Sequence, residues 1–282
     1  MNPFTMYLLL IWIFCVSGAK QQRRQGQQVY EESFFYRSHD ALQHISYKLD
    51  IFRCSKAAWD KATRVSPRNP GRFAAITWIS MYSRLCHIDK RLLIEDLQNS
   101  NFPFRLNKEL RCTLHKNRNR EVRDIFLKAG NMIDEALDIL KPTLYTENLY
   151  RGLTDFPYRD LFIEDGFFST TKDIHVALGF AKGNILQIIT HMYGVYIANY
   201  AEERFRYQKE VLAKRQAMFQ IGRKVTDEGQ IKQIIEGLKL RKKRLYPKEI
   251  IYMEQVFLSD DVRNELSRNQ QSQSHPYCEP SY

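Results

Sequence analysis

The spacing of apolar residues divides the chain into two textures. The first half follows the helical period. Residues 38–52 place Leu42, Ile45, Leu49 and Phe52 three or four positions apart, which is one face of a helix. Pro70 opens a second run, Gly71–Tyr82, and proline is favoured at the first helical position. Arg120–Leu140 repeats the pattern with Val122, Ile125, Phe126, Ala129, Ile133, Ala136, Leu137 and Leu140, and Pro142 ends it. Beyond Pro142 the apolar runs shorten. Strands are predicted at 148–152, 166–170, 185–189, 194–198, 210–213, 217–225 and 249–258, rich in Ile, Val, Phe and Tyr and broken by Gly or polar turns. A helix is expected within Asp227–Tyr246. Helices first and strands afterwards make an α+β fold, without the alternation that builds a parallel sheet.

The two ends carry a different signal. Met6–Val16 is an unbroken apolar run followed by Ser17-Gly18-Ala19, small residues of the kind a signal peptidase reads, so cleavage is expected after Ala19. No Lys or Arg precedes the run, and the competing reading is a short buried N-terminal helix. The run is shorter than the roughly 20 apolar residues that span a bilayer. The tail Ser267–Tyr282 is polar, unlike a membrane anchor or the end of a GPI signal. The expected product is secreted and extracellular: residues 1–19 signal peptide, 20–36 lead segment, 37–260 one domain (37–142 mainly helical, 143–260 mainly β), and 261–282 a polar tail.

Secretion changes what the cysteines mean. Loss of Cys15 leaves Cys54, Cys86, Cys112 and Cys278, an even set in an oxidising compartment. Four cysteines allow three pairings. The preferred one is Cys54–Cys278, tying the ends together, with Cys86–Cys112 closing a local loop. No C-x-x-C pair or histidine cluster points to a metal. The net charge of +11 favours anionic glycans, cell surfaces or acidic proteins as partners. Its densest patch, Lys239, Arg241, Lys242, Lys243 and Arg244, reads as a solvated helix face. No nucleic-acid-binding module accompanies the charge.

Three motifs in the strand-rich half carry the chemistry. They are Leu149-Tyr150-Arg151-Gly152-Leu153, then Gly166-Phe167-Phe168-Ser169-Thr170-Thr171, then Phe205-Arg206-Tyr207-Gln208-Lys209-Glu210-Val211-Leu212. In this order, over roughly Leu149–Val225, the chain resembles the ADP-ribosyltransferase family of the Arg–Ser–Glu type. That family includes clostridial C3-like and binary toxins and animal ecto-enzymes. Its pattern is Arg-Gly on a first strand, a Ser-Thr-Ser-like strand, and a Gln/Glu-x-Glu loop. Each motif alone is weak; their order on strands is far more specific. Here Thr171 stands in the third hydroxyl position.

The resemblance implies an ADP-ribosyltransferase-like fold, a helical N-terminal part packed on a two-sheet β core with an NAD cleft. It implies NAD as substrate, no metal, and transfer of ADP-ribose to a protein acceptor. Arg151 would hold the pyrophosphate through charge-assisted bonds. Gly152 would let the backbone approach the nicotinamide. Ser169 would hold the catalytic carboxylate, and Glu210 would stabilise oxocarbenium character through the ribose 2′-hydroxyl. Gln208 bears on the acceptor. Glutamate at this place accompanies transfer to arginine, the commonest activity among animal relatives. Glutamine accompanies other acceptors, as in toxins that modify asparagine and carry an aromatic three residues earlier, where Phe205 stands. A short helical segment with Ala177 and Phe180-Ala181 follows the second motif. Phe180 either packs near the nicotinamide or, the preferred reading, anchors that helix to the sheet. Glu202 and Glu203 are expected to be solvated. Competing functions are an NAD glycohydrolase and an inactive secreted binding protein; intact Arg151, Ser169 and Glu210 argue against the last.

Overall fold

Asp50 adopts a left-handed conformation (φ 51°) and ends the first helix, α1 (Pro3–Leu49). The structure, a computed structural model, describes residues 3–88, 101–112, 120–155, 160–238 and 246–271. Within α1 the buried stripe is Phe34, Ala41, Leu42, Ile45 and Leu49. Phe52, expected on that stripe, instead opens α2 (Phe52–Val65) and is exposed, because the break at Asp50 resets the helical phase. Next comes α3 (Pro70–Tyr82), with Pro70 at its first turn and the Asn69 side chain accepting the Arg72 N–H. Nearly all of α3 is buried, so it is the central helix. Its Trp78 indole donates to Ser38 Oγ at 2.6 Å, which satisfies a polar atom within the core. The helices α4 (Phe102–Arg111) and α5 (Arg120–Leu140) complete this half.

Nine strands follow: β1 (Thr143–Tyr145), β2 (Leu149–Leu153), β3 (Leu161–Glu164), β4 (Phe168–Thr171), β5 (Ile185–Thr190), β6 (Met192–Tyr196), β7 (Glu210–Ala213), β8 (Ala217–Val225) and β9 (Glu249–Val256). Seven match strands expected from the sequence. The other two, β1 and β3, are short edge strands that only their partners reveal. The hydrogen-bonded order is β1-β6-β7-β4-β2-β5-β9-β8-β3, antiparallel except for β5 and β9.

The ladder is thinnest between β2 and β4, which share the single pair Tyr150↔Thr171. There it folds over on itself. Phe168 of β4 stacks on Phe219 of β8 with ring centroids 4.1 Å apart. Along a flat ladder four strand spacings, about 19 Å, would separate them. The two halves are therefore stacked layers, as a two-sheet core requires, with Leu149, Phe168, Ile189, Val211, Phe219 and Met253 between them. The helical half packs on β4, β6 and β7 through Phe167, Val195, Ile197 and Leu212. The outer face of the other layer is covered by α6 (Ile174–Ala181) and α7 (Glu228–Gly237) over Leu186, Ile188 and Ile250. A last helix, α8 (Asp260–Gln271), lies at the end of the described chain. No described helix is long and apolar enough to cross a membrane.

The expected disulfide pairing is wrong. Cys54 bonds to Cys86, with Cα atoms 5.8 Å apart. The short connection from α2 to α3 makes these helices antiparallel neighbours. The start of α2 therefore meets the chain just past the end of α3. Cys112 is also disulfide-bonded. Cys278 and the basic run from Lys239 to Arg244 lie outside the described residues.

Candidate active site

Because β4 lies between β2 and β7, the three motifs become neighbours. The register pairs Thr171 with Glu210 and Ser169 with Leu212, so Ser169 and Glu210 are diagonal neighbours on one face. Ser169 Oγ donates to Glu210 Oε1 at 2.5 Å. Burial pushes the Glu210 carboxyl up to about 6, against the opposing pull of the Ser169 hydrogen bond. The second carboxylate oxygen takes no protein hydrogen bond among the described residues.

On β2 the Arg151 guanidinium sits 4.3 Å over the Phe168 ring, and its Nη1 lies 3.8 Å from Glu164 Oε2. Glu164, at the end of β3, is 1% exposed. It accepts from Arg111 Nε at 2.7 Å and from the Gly166 N–H at 2.9 Å. Burial opposes its ionisation, but Arg111, Arg151 and the Gly166 N–H outweigh that and hold it below the usual carboxylate range. A single buried carboxylate thus orients two guanidinium groups that both line the cleft. Sequence reasoning missed Arg111 and Glu164, because nothing in the sequence joins a residue of α4 to the end of β3.

Packing gives Gly152 a further reason to lack a side chain. A Cβ there would collide with the Ala177 carbonyl and the Ala181 nitrogen of α6. Its bareness lets a helix pack directly on a strand. That helix is capped by the Asp173 side chain, which accepts from the His175 N–H, and it ends at Lys182 in a left-handed conformation. Phe180 does not anchor it to the sheet: the ring is 52% exposed and faces the cleft, while Ile174, Ala177 and Leu178 do the anchoring.

Gln208 ends a short 3-10 helix, Glu203–Gln208, and Lys209 turns left-handed (φ 46°) before β7 begins. Thr171 fixes this turn. Its hydroxyl donates to the Gln208 carbonyl at 2.5 Å and accepts from the Asp173 N–H at 2.9 Å. The third hydroxyl of the motif therefore holds the loop that presents Gln208. Phe205 and Tyr207 stand beside Gln208 on the same cleft. Glu203 is exposed, as expected; Glu202 is not simply solvated but pairs with Arg204 at 3.1 Å and lies 3.9 Å from Arg84.

These groups surround one cavity of about 500 Å³. It is walled by the C-terminal end of α3, by α4, β2, β4 and α6, and by the loop carrying Gln208. All of the residues picked out by sequence, Arg151, Gly152, Ser169, Gln208 and Glu210, line it. A two-layer β core with a serine-held carboxylate and an arginine in the cleft defines a class of fold. Comparison with solved structures agrees. The ADP-ribosyltransferase HopU1 of Pseudomonas syringae superposes with a TM-score of 0.53 at 18% identity, covering 78% of this chain and 97% of that one. Exoenzyme S from Pseudomonas aeruginosa gives 0.47 at 12% identity over 80% and 97%, and the eukaryotic mono-ADP-ribosyltransferase ART2.2 gives 0.45 at 14% over 82% and 89%. No protein-family model matches the sequence, and no curated protein matches it. The chain has the ADP-ribosyltransferase fold.

Proposed function

We propose that this protein is an NAD-dependent mono-ADP-ribosyltransferase, acting outside the cell on a protein side chain. The observation that carries the proposal is the Ser169–Glu210 hydrogen bond on the wall of a cleft that Arg151 also lines. Arg151, oriented by Glu164, would hold the pyrophosphate. Glu210, with one oxygen committed to Ser169, has the other available for the ribose 2′-hydroxyl. There a carboxylate stabilises the positive charge that builds at the anomeric carbon as the bond to nicotinamide breaks. The bonding pair leaves with nicotinamide, and the acceptor attacks the same carbon and gives up a proton. A cavity of this size falls in the range of small-molecule sites. Gln208 weighs against an arginine acceptor, since an amide cannot take a proton from a guanidinium. The apolar leader Met6–Val16 and the disulfides support an extracellular location, and the net charge of +11 favours acceptors on anionic surfaces.

Incubation with NAD labelled in the ADP-ribose part tests the reading. Label is expected on acceptor protein and to be lost in Glu210→Gln. Free ADP-ribose as the sole product would make the protein a glycohydrolase, and untouched NAD would leave it a binding module.

A further inference from the structure

Tyr82, the last residue of α3, is 4% exposed yet lines the cavity. Its ring packs edge-on against Phe167, with centroids 5.4 Å apart. Its hydroxyl oxygen is 2.9 Å from Asn107 Nδ2, and the direction of that bond is forced. The Phe167 backbone N–H can only donate, and at 2.7 Å it fixes Asn107 Oδ1 as an acceptor. The other end of the amide is then an NH₂ group, which can only donate. Tyr82 is therefore the acceptor in its bond with Asn107, and its own proton has no acceptor among the described residues. A buried donor left unpaired is costly, and such a group usually waits for a ligand or water. Glu210, Arg111 and Arg151 all act electrostatically on this hydroxyl, so it lies among the charges of the site. Burial, and then the Glu210 carboxylate, raises its pKa, so it keeps its proton at neutral and alkaline pH.

We propose that Tyr82 is a hydrogen-bond donor to the bound dinucleotide, giving its proton to a phosphate or ribose oxygen. Asn107 is the positioning residue that keeps this proton turned toward the ligand. The assignment rests on the NAD reading above and adds to it a neutral, directional donor beside the two arginines. The polarity runs along a chain, from the Phe167 N–H through Asn107 to Tyr82 and into the cleft. The segment that leads into Ser169 thereby also sets the orientation of a hydroxyl on α3.

The test is calorimetric titration with carba-NAD, in which carbon replaces the ribose ring oxygen so that the bond to nicotinamide is not cleaved. Tyr82→Phe keeps the ring contact with Phe167 and should bind about tenfold more weakly, the usual loss for one hydrogen bond. Asn107→Asp should bind about tenfold more weakly as well. Its carboxylate still accepts from Phe167 but now also accepts the Tyr82 proton and turns it away from the cleft. Charge repulsion alone would make the two losses multiply. The shared proton instead predicts a double variant that loses clearly less than their product. Melting curves identify any variant that fails to fold; if Asn107→Asp does, Tyr82→Phe still decides the donor. Wild-type affinity in Tyr82→Phe or in a folded Asn107→Asp, or full multiplication in the double variant, would overturn the proposal. Failure of the wild type to bind carba-NAD removes the NAD reading itself, a result distinct from binding that ignores Tyr82.

Discussion

Glu210 is placed where its surroundings resist its charge, and that has consequences on both sides of neutrality. The proposed role needs the carboxylate, so turnover should rise with pH through about 6, the value to which burial pushes this group. The Ser169 hydrogen bond opposes the shift. Ser169→Ala should therefore move the acid limb of the pH–rate profile to higher pH, and an unmoved limb would separate Ser169 from Glu210. The stability linkage has the opposite sign from a paired carboxylate. A carboxyl whose folded value lies above the ordinary 4.5 loses stability as pH rises from 4.5 to about 6, and the penalty then persists. Glu210→Gln removes that penalty. Its activity should fall on the order of 10²–10³-fold, while its melting temperature at pH 7 matches or exceeds that of the wild type. A variant melting well below wild type at pH 7 would contradict this account. Gln208 gives a further residue-level prediction. Replacing its amide by a carboxylate, which can pair with a guanidinium, should increase labelling of agmatine, a small arginine mimic, with little change in NAD cleavage. Efficient agmatine labelling by the wild type, unimproved in Gln208→Glu, would show that this position does not choose the acceptor.

At the level of elements, the site depends on the contact of α6 with β2. Gly152 lets the helix backbone touch the strand, and the same helix presents Phe180 to the cleft. Gly152→Ala forces strand and helix apart, and overpacking of this kind costs about 1–3 kcal/mol. A lower midpoint in urea at unchanged slope is expected, together with weaker NAD binding, because the wall carrying Phe180 is displaced. An unchanged midpoint would mean that α6 moves freely. Helices α3 and α5 were legible in the sequence, because Pro70, Pro142 and the apolar period act within one or two turns. So were β7 and β8, whose ends match the expected residues. Helices α2 and α4 and strands β1 and β3 were not. β3 is four residues long and is defined by its register with β8, and α4 is short and takes its place from packing against α5 and the turn before β4.

Over the whole molecule, the helical half does more than cover the sheet. Lys61 donates to the Ala201 carbonyl at 2.7 Å, Arg72 to the Tyr200 hydroxyl at 3.2 Å, and Arg84 lies 3.9 Å from Glu202. All three come from α2, α3 and the turn after α3, and they grip the stretch that leads to Gln208. The Cys54–Cys86 bond staples that region across 32 residues. Closing a loop of this length contributes about 3–4 kcal/mol in the chain-entropy account. A Cys54→Ser, Cys86→Ser double variant should lose about that much in denaturant unfolding. Non-reducing peptide mapping of the wild type should recover a peptide joining Cys54 to Cys86; one joining Cys54 to Cys278 would refute the pairing.

The sequence by itself determined the α+β order, most strand positions, and the three short motifs holding Arg151, Ser169 and Glu210. Each of these is encoded within a few residues, by periodicity, by proline and turn residues or by a tight spacing of side chains. Tertiary structure alone decided the rest. It paired Cys54 with Cys86, set Arg111 and Glu164 behind Arg151, turned Phe180 to the cleft, and gave Gly152 a packing role against the backbone of α6. It also directed the Tyr82 proton through Asn107, from another helix. These are contacts between segments tens of residues apart, fixed by how a folded ladder stacks its two halves and docks a helical layer on one of them. No local pattern in the chain records that arrangement.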